Sequence, residues 1–225
     1  MRDIANVGQL AEVKHVVWDW NGTILDDNDA VMHAVNAVCR EFGQDPVDLA
    51  RWRATYRRPL QDCYAELLGH PLTTEDWALV DRLYHDTYHG LLDTCRLATG
   101  VPDELRRWQA SGRGQSLLSM WFHHKLVSLV ADYQLTELFV RVDGLRAELG
   151  WGSKTAHLAE HLAAQGLTGA EVLVIGDVAD DADAAAHVGA QCVLVTTGVM
   201  SRQQLATRGV PVVDSIAEAL ALLPA

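Results

Sequence analysis

Positive charge is scarce in this sequence. Lysine and arginine number 18 against 30 aspartates and glutamates among 225 residues, which gives a formal net charge of -12. A chain this acidic repels the phosphate backbone that a nucleic-acid-binding protein must attract, so nucleic acid is not an expected partner. Lysine is the rarer cation, with only Lys14, Lys125 and Lys154. A lysine within a functional motif is therefore hard to explain as surface decoration.

Paired cysteines and long apolar runs are also missing. The four cysteines are far apart and include no CxxC pair, which favours buried, reduced thiols over a disulfide framework or a zinc site. No apolar run approaches the roughly 20 residues of a membrane span. Residues 1–14 lack the apolar stretch of a signal peptide. We therefore expect a cytoplasmic protein with no membrane partner.

Short apolar runs along the chain predict buried strands. The first, residues 15–18, ends at Asp19 and an Asn-Gly turn signal, so it delivers an aspartate to its carboxyl end. Open α/β sheets place their chemistry at that edge. Stretches with helical patterns separate the runs, which predicts a mostly parallel sheet with helices on both faces. The other predicted strands are residues 115–119, 138–142, 171–175, 191–195 and 210–213.

Residues 28–97 show a different pattern, with no strand-like run and with apolar residues at helical spacing. One apolar stripe ends at Gly43, and another begins after Thr73 and Thr74, which are typical helix boundaries. The pattern predicts a helical insert of about two to four helices. The two stripes consist of Val31, Val35, Val38 and Phe42, and of Trp77, Val80, Tyr84 and Tyr88.

Two short motifs follow predicted strands in the first half of the chain. In residues 19–23 (DWNGT), the Asp19 carboxylate could attack phosphorus and form an aspartyl-phosphate, although a strand followed by an Asn-Gly turn needs no chemistry. Ser119 ends the predicted strand 115–119, where its hydroxyl could hydrogen-bond a phosphoryl oxygen. A single serine in that place is more often a helix cap, so Ser119 indicates phosphate binding only in combination with the other motifs.

Lys154 lies near the start of a predicted helix, residues 153–165. Its ammonium could neutralise both the nucleophile and the transferring phosphoryl group. Residues 150–155 (GWGSKT) superficially resemble a phosphate-binding P-loop. Ser153 precedes the lysine where that motif has glycine, and Glu148 stands in place of its first glycine. We therefore reject the P-loop interpretation.

A cluster of aspartates, residues 176–181 (GDVADD), follows the apolar run Val-Leu-Val-Ile. Acidic residues also favour helix N-termini, but that preference does not explain their position after this strand. Clustered carboxylates repel one another unless a cation lies between them, and Mg²⁺ is typically held by one or two carboxylates with waters and substrate oxygens. Asp177 and Asp181 are the predicted pair.

Taken together, these motifs resemble those of the haloacid dehalogenase (HAD) superfamily: DxDGT, a strand-end Ser or Thr, a Lys, and GDxxxD. The resemblance covers essentially the whole chain. It implies a Rossmann-like, doubly wound, mostly parallel α/β core (residues 1–27 and 98–225) and a helical cap (residues 28–97), as in phosphoglycolate-phosphatase-like members. It also implies a Mg²⁺-dependent phosphatase acting on a small phosphorylated metabolite.

The resemblance implies roles for individual residues. Asp19 would be the nucleophile and a Mg²⁺ ligand, together with the backbone carbonyl of Asn21 and the carboxylate of Asp177. Asp181 would complete the metal site by holding metal-bound water. The phosphoryl group and the rest of the substrate would be bound by Ser119, Lys154, Gly22, Thr23 and Met120.

Asn21 departs from the family pattern. Most family phosphatases carry an aspartate there, which protonates the leaving group and then activates water. An amide has no ionisable proton in this range, so turnover depends on another acid or on a leaving group that needs none. His123 and His124, just past Ser119, are candidate replacements, although surface histidines are the commoner outcome.

The predicted cap offers candidate contacts for the rest of the substrate. Four arginines occur within eight residues, 51–58. They form an ordinary solvated helix face by default, but a cap arginine could also grip an anionic substrate, and Arg58 is our candidate. Trp121 and Trp151 border the second and third motifs and are candidate pocket walls, whereas Trp20 is expected in the core.

Other functions of the same family fit the sequence less well. A phosphonate hydrolase with this cap would need a cap lysine, and residues 28–97 contain none. A dehalogenase needs no metal and would leave the GDVADD cluster unused, and a phosphomutase needs the acid that Asn21 has lost. The remaining alternative is a degenerate member that binds a phosphorylated ligand or a partner protein with little turnover.

Overall fold

A computed structural model describes residues 13–146 and 153–224. Eight strands are described: β1 (His15–Trp18), β2 (Leu25–Asp26), β3 (Arg96–Leu97), β4 (Gly114–Phe122), β5 (Val142–Leu145), β6 (Val172–Gly176), β7 (Gln191–Val195) and β8 (Val212–Val213). Six of them form one parallel sheet in the order β5-β4-β1-β6-β7-β8. The predicted mostly parallel α/β fold is confirmed.

Helices cover both faces of this sheet because side chains alternate along each strand. Val16 and Trp18 of β1 pack with α5, α6 and α10, while Val17 packs on the opposite face with α7, α8 and α9. This arrangement is doubly wound, as predicted. The helices outside the insert are α5 (Val101–Ala110), α6 (His123–Asp132), α7 (Lys154–Ala163), α8 (Ala179–Val188), α9 (Arg202–Ala206) and α10 (Ile216–Ala221).

Four helices lie between β2 and β3: α1 (Asn28–Glu41), α2 (Leu49–Thr55), α3 (Leu60–Leu68) and α4 (Thr74–Leu91). The two predicted helix boundaries are correct. Thr73 and Asp76 form a capping box at the start of α4, and Gly43 adopts a positive φ of 71° just past α1. The apolar stripes of α1 and α4 face each other in the core.

The sequence pattern misplaced three elements. Residues 138–142 were predicted as a strand, but Leu138 ends a 3-10 turn and the strand begins at Val142. The run is apolar because Leu138 and Phe139 are buried, although they do not belong to the sheet. Only two residues of the predicted strand 210–213 pair, as β8. Within residues 28–97, where no strand was expected, β3 pairs antiparallel with β2. This pairing brings together the two ends of the insert.

Candidate active site

Three aspartates meet at the carboxyl edge of the sheet. Asp19 follows β1, Asp177 follows β6, and Asp181 lies in the first turn of α8. One oxygen of each carboxylate lies within 4.8 Å of the others, and all three side chains are buried. The parallel pairing of β1 with β6 places the two strand ends side by side, so residues 158 positions apart in the chain become neighbours.

Lys154 is the cation of this cluster. It is the first residue of α7, and its buried Nζ lies 2.7 Å from Asp19 Oδ1 and 2.5 Å from Asp181 Oδ1. Burial disfavours its charge, but the carboxylates of Asp181 and Asp19 outweigh that effect and hold the pKa of Lys154 above its ordinary value. Lys154 is therefore a fixed positive charge beside the Asp19 carboxylate.

One ammonium does not balance three carboxylates. Burial, partly offset by Lys154, raises the pKa of Asp19 to about 6. Burial and the neighbouring Asp19 and Asp181 raise the pKa of Asp177 well above its ordinary value. Carboxylate oxygens are the ligands that Mg²⁺ prefers, and a divalent cation would remove the repulsion that causes part of these shifts. The residues present fit a magnesium ion.

Three glycines shape the space around the carboxylates. A Cβ on Gly22 would lie 2.6 Å from Asp177 Oδ2, and one on Gly198 would overlap the same carboxylate. A Cβ on Gly176 would overlap the carboxylate of Asp181. Gly22 also has a φ of 68°, which residues other than glycine rarely adopt. Gly198 was missed by sequence reasoning because its loop, after β7, carries none of the motifs.

The side chain of Asn21 is held by two residues from elsewhere. Its Nδ2 donates to Asp27 Oδ2 (2.9 Å) and lies 2.6 Å from the Tyr88 hydroxyl, which itself donates to Asp27 Oδ2 (2.6 Å). The backbone N–H of Gly22 donates to the other Asp27 oxygen. Asp27 is buried, and burial raises the pKa of its carboxyl. This chain therefore has a carboxyl beside Asn21, although not at position 21 itself.

Sequence reasoning missed Asp27 and gave Tyr88 only a packing role. The signal in the sequence was weak, because an acidic residue just before a helix is ordinary, and Tyr88 belongs to the apolar stripe of α4. Only the fold brings α4 over the first motif, so no local pattern could have paired Tyr88 with Asn21.

Most of the predicted site residues line one cavity of about 270 Å³ between the sheet edge and the insert. Two lie behind its wall: Asp181 is fully buried, and buried Thr23 donates to Asp177 Oδ1 (3.3 Å). Ser119 accepts a hydrogen bond from Trp121 N–H and lies within β4, where pairing with β5 becomes irregular, not at a strand end. The predicted residues on the wall are Asp19, Asn21, Gly22, Arg58, Ser119, Met120, Lys154 and Asp177.

The four arginines of the insert have different surroundings. Arg58 lines the cavity, and its Nε lies 2.9 Å from Asp180 Oδ2. Arg53 donates to the carbonyls of Thr196 and Gly198 and so ties the insert to the loop after β7. Arg51 and Arg57 instead pair with Glu66 within the insert.

The candidate histidines lie away from the cavity wall. The ring of His123 contacts Gly144 N–H and Arg146. Among the described residues, the wall of the cavity includes His85 of α4 but neither His123 nor His124. Trp121 does line the cavity, as predicted, and Trp20 is buried in the core. Trp151, Glu148 and residues 150–152 of the rejected P-loop lie outside the described residues.

Comparison with known proteins agrees with this geometry. The family model described as HAD-hydrolase-like matches residues 153–219. A phosphoglycolate phosphatase of Synechococcus elongatus is 29% identical over 202 residues, covering 84% of this chain and 87% of that protein. The chain is similar to proteins of the haloacid dehalogenase (HAD) superfamily.

Two further proteins are similar to this chain in sequence or in fold. A phosphoglycolate phosphatase of Aliivibrio fischeri is 27% identical, covering 91% of this chain and 90% of that protein. The fold matches a haloacid dehalogenase-like hydrolase from Streptococcus pneumoniae with a TM-score of 0.79 at 18% identity, covering 93% of this chain and 98% of that one. Among the described residues, every helix is too short or too polar to span a bilayer.

Proposed function

We propose that this protein is a Mg²⁺-dependent phosphatase of the HAD type that hydrolyses a small phosphorylated metabolite through an aspartyl-phosphate on Asp19. The observation that carries the proposal is the buried cluster of Asp19, Asp177, Asp181 and Lys154 at the carboxyl edge of the sheet. A nucleophile, a fixed cation and an excess of carboxylates meet there at one end of the cavity. The names of the two curated relatives agree with this activity.

The chemistry divides into two displacements at phosphorus. The Asp19 oxygen attacks, the bond from phosphorus to the leaving-group oxygen breaks, and an acyl phosphate forms on Asp19. Water then attacks phosphorus, the bond to Asp19 breaks, and phosphate is released. Lys154 neutralises charge on the transferring group, and the Ser119 hydroxyl orients one of its oxygens.

Asp19, Asp177 and the backbone carbonyl of Asn21 would hold Mg²⁺, with Asp181 completing the site. When bound, the ion supplies charge neutralisation and polarises the phosphoryl group. Thr23, Gly22 and Gly198 fix the Asp177 carboxylate by a hydrogen bond and by close contact. Residues 28–97 act as a cap that closes the site from water, and the remainder of the chain is the catalytic core.

Asn21 restricts the leaving group. Because its amide cannot donate a proton in this range, substrates whose leaving groups depart without protonation are favoured. Acyl and aryl phosphates meet that requirement, and alkyl phosphates such as sugar phosphates do not. General acid catalysis is typically worth about 10²–10⁴-fold, so the expected preference is large.

The experiment is phosphate release from acetyl phosphate and para-nitrophenyl phosphate, with and without excess chelator. We expect turnover that the chelator abolishes and Mg²⁺ restores, and that Asp19→Asn lacks. Turnover that persists in chelator contradicts the metal assignment. A folded protein that binds phosphate analogues but never turns over would indicate a degenerate, ligand-binding member instead.

A further inference from the structure

The cavity above Asp19 has an aromatic wall. The insert contributes six rings to it: Trp52, Tyr56, Tyr64, Trp77, Tyr84 and Tyr88. They include four of the five tyrosines of the chain. From the opposite side, β4 contributes Trp121. This concentration of rings lies directly beside the phosphoryl-transfer residues.

The rings form connected groups. Trp52 contacts Tyr56 and Tyr64, each at 5.7 Å between ring centroids. On α4, Tyr84 and Tyr88 are stacked with their planes 5° apart, and Tyr88 meets Trp121 edge to face at 5.3 Å. Rings held by mutual packing form a fixed surface that suits a flat, apolar group.

Few positively charged side chains line the insert side of the cavity. Among the described lining residues there, Arg58 is paired with Asp180, and Asp81 adds a negative charge. Lys154, on the core side, is engaged by Asp19 and Asp181. A substrate with a second anionic group, such as the carboxylate of phosphoglycolate, would meet rings, the Asp81 carboxylate and a guanidinium already paired with Asp180.

We propose that the substrate is an aryl phosphate whose ring occupies this cavity while its phosphoryl group meets Asp19. This inference rests on the proposed phosphatase function and narrows it to a substrate class. The bond from phosphorus to the aryl oxygen breaks, Asp19 takes the phosphoryl group, and the aryl oxide leaves as an anion that water protonates. A phenol ionises at a pH of about 10, so its oxide departs without the acid that Asn21 cannot supply.

Binding of non-hydrolysable phosphonates to the Mg²⁺-loaded protein separates ring recognition from leaving-group chemistry. Isothermal titration calorimetry would compare phenylphosphonate, methylphosphonate and phosphonoacetate. Because burial of a ring among aromatic side chains is favourable, we expect phenylphosphonate to bind roughly tenfold or more tightly than methylphosphonate. Phosphonoacetate should bind no more tightly than methylphosphonate. Equal affinities, or tightest binding of phosphonoacetate, would overturn the aryl assignment.

Leu60 and Leu67 provide a matched pair of variants for locating the ring. Both are partly buried leucines of α3 packed on the core, but only Leu60 lines the cavity. Leu60→Trp should fill the cavity and reduce the ratio of phenylphosphonate to methylphosphonate affinity several-fold. Leu67→Trp should leave that ratio unchanged. A ratio that both variants keep would overturn the cavity as the ring site.

Failure of the proposed function would look different. If no phosphonate bound the folded, Mg²⁺-loaded protein and acetyl phosphate were not hydrolysed, the phosphatase proposal and the aryl assignment would both fall. Hydrolysis of acetyl phosphate with no preference among phosphonates would overturn only the aryl assignment. Circular dichroism and thermal melting of each variant confirm that the compared proteins are folded.

Discussion

Two buried clusters of ionisable side chains share the same strand and the same helix. β1 carries His15 at its start, and Asp19 follows its end; α7 carries Lys154 in its first turn and His161 two turns later. The Asp19 and Lys154 cluster has more carboxylates than cations. In the second cluster, the carboxylate is paired with an arginine.

The second cluster is a chain of hydrogen bonds. His161 donates from Nδ1 to Asp143 (2.8 Å), and its Nε2 lies 2.8 Å from Ser116 Oγ, which in turn lies 2.7 Å from His15 Nε2. Arg141 pairs with the carboxylate of Asp143. Asp, His and Ser thus stand in the order of a hydrolase triad, but Ser116 is fully buried within β4 and does not line the cavity above Asp19.

The comparison shows why burial of charge does not by itself indicate a site. A matched buried network stabilises a fold, whereas a buried cluster with unmatched charge is costly unless a ligand completes it. Access from the cavity and balance of charge therefore distinguish the two clusters, although both contain an aspartate and a basic residue beside a buried strand.

The largest expected contrast comes from neutralising one aspartate in each cluster. Asp177→Asn should abolish phosphate release, yet stabilise the metal-free protein by about 1–3 kcal/mol because it removes a carboxylate whose ionisation burial and Asp19 disfavour. Asp143→Asn should keep turnover and destabilise the protein by about 1–2 kcal/mol, because Arg141 and His161 exchange a charged acceptor for a neutral one. Denaturant unfolding in chelator, with phosphate release in Mg²⁺, measures both. A destabilised Asp177→Asn or a stabilised Asp143→Asn would contradict this distinction between the two clusters.

Restoring the family carboxylate tests the role of Asn21. The side chain of Asn21→Asp would face Asp27 across a present contact of 2.9 Å, and two carboxylates so close cannot both ionise cheaply. We therefore expect little gain from the single variant. Combined with Asp27→Asn, it should raise turnover of alkyl phosphates relative to acetyl phosphate by about 10²-fold.

The ratio between the two substrates, measured from initial rates in Mg²⁺, controls for changes in phosphate binding. Asp27→Asn alone is the matched control and should leave the ratio low. A flat ratio in the double variant would mean that another group transfers the proton. His85, which lines the cavity, would then be the next residue to replace, ahead of His123 and His124.

A smaller effect is expected from the glycine that supports Asp177. The Cβ of Gly198→Ala would overlap the Asp177 carboxylate, so we expect kcat/KM to fall about 10–100-fold, as when a metal ligand loses its support. Gly90→Ala is the control, because a Cβ there meets nothing within 4 Å and lies in α4. That variant should keep activity and gain up to about 1 kcal/mol of stability. Equal kcat/KM values for Gly198→Ala and Gly90→Ala would mean that the Asp177 carboxylate needs no support from Gly198.

The smallest expected effect is the pH dependence contributed by His15. Burial, with a smaller contribution from His161, lowers the pKa of His15 from 6.5 to about 4. The folded state therefore favours neutral imidazole, so its stabilising contribution is complete above pH 6.5 and is lost as the pH falls towards 4. His15→Gln should flatten the stability profile in this window by about 1–2 kcal/mol. Parallel profiles for the two proteins, from urea unfolding between pH 4 and 7, would contradict this assignment.

Local chemistry determined much of the fold before any tertiary contact was known. The apolar run 15–18 ending in Asp19, and the run before GDVADD, predicted β1 and β6 to within one residue. Gly43 and Thr73 predicted the end of α1 and the start of α4. Such signals act within a few residues, through turn conformations, helix caps and alternating burial, so a sequence displays them directly.

Tertiary structure decided what surrounds those residues. Asp27 and Tyr88 meet Asn21 only because α4, more than 60 residues along the chain, folds back over the first motif. The aromatic stripes of the insert indicated helices, but not that several of their rings would line a cavity above Asp19. His15, Ser116 and His161 likewise became partners through strand pairing and helix packing. Contacts between distant segments depend on how the elements pack, and no local pattern encodes them.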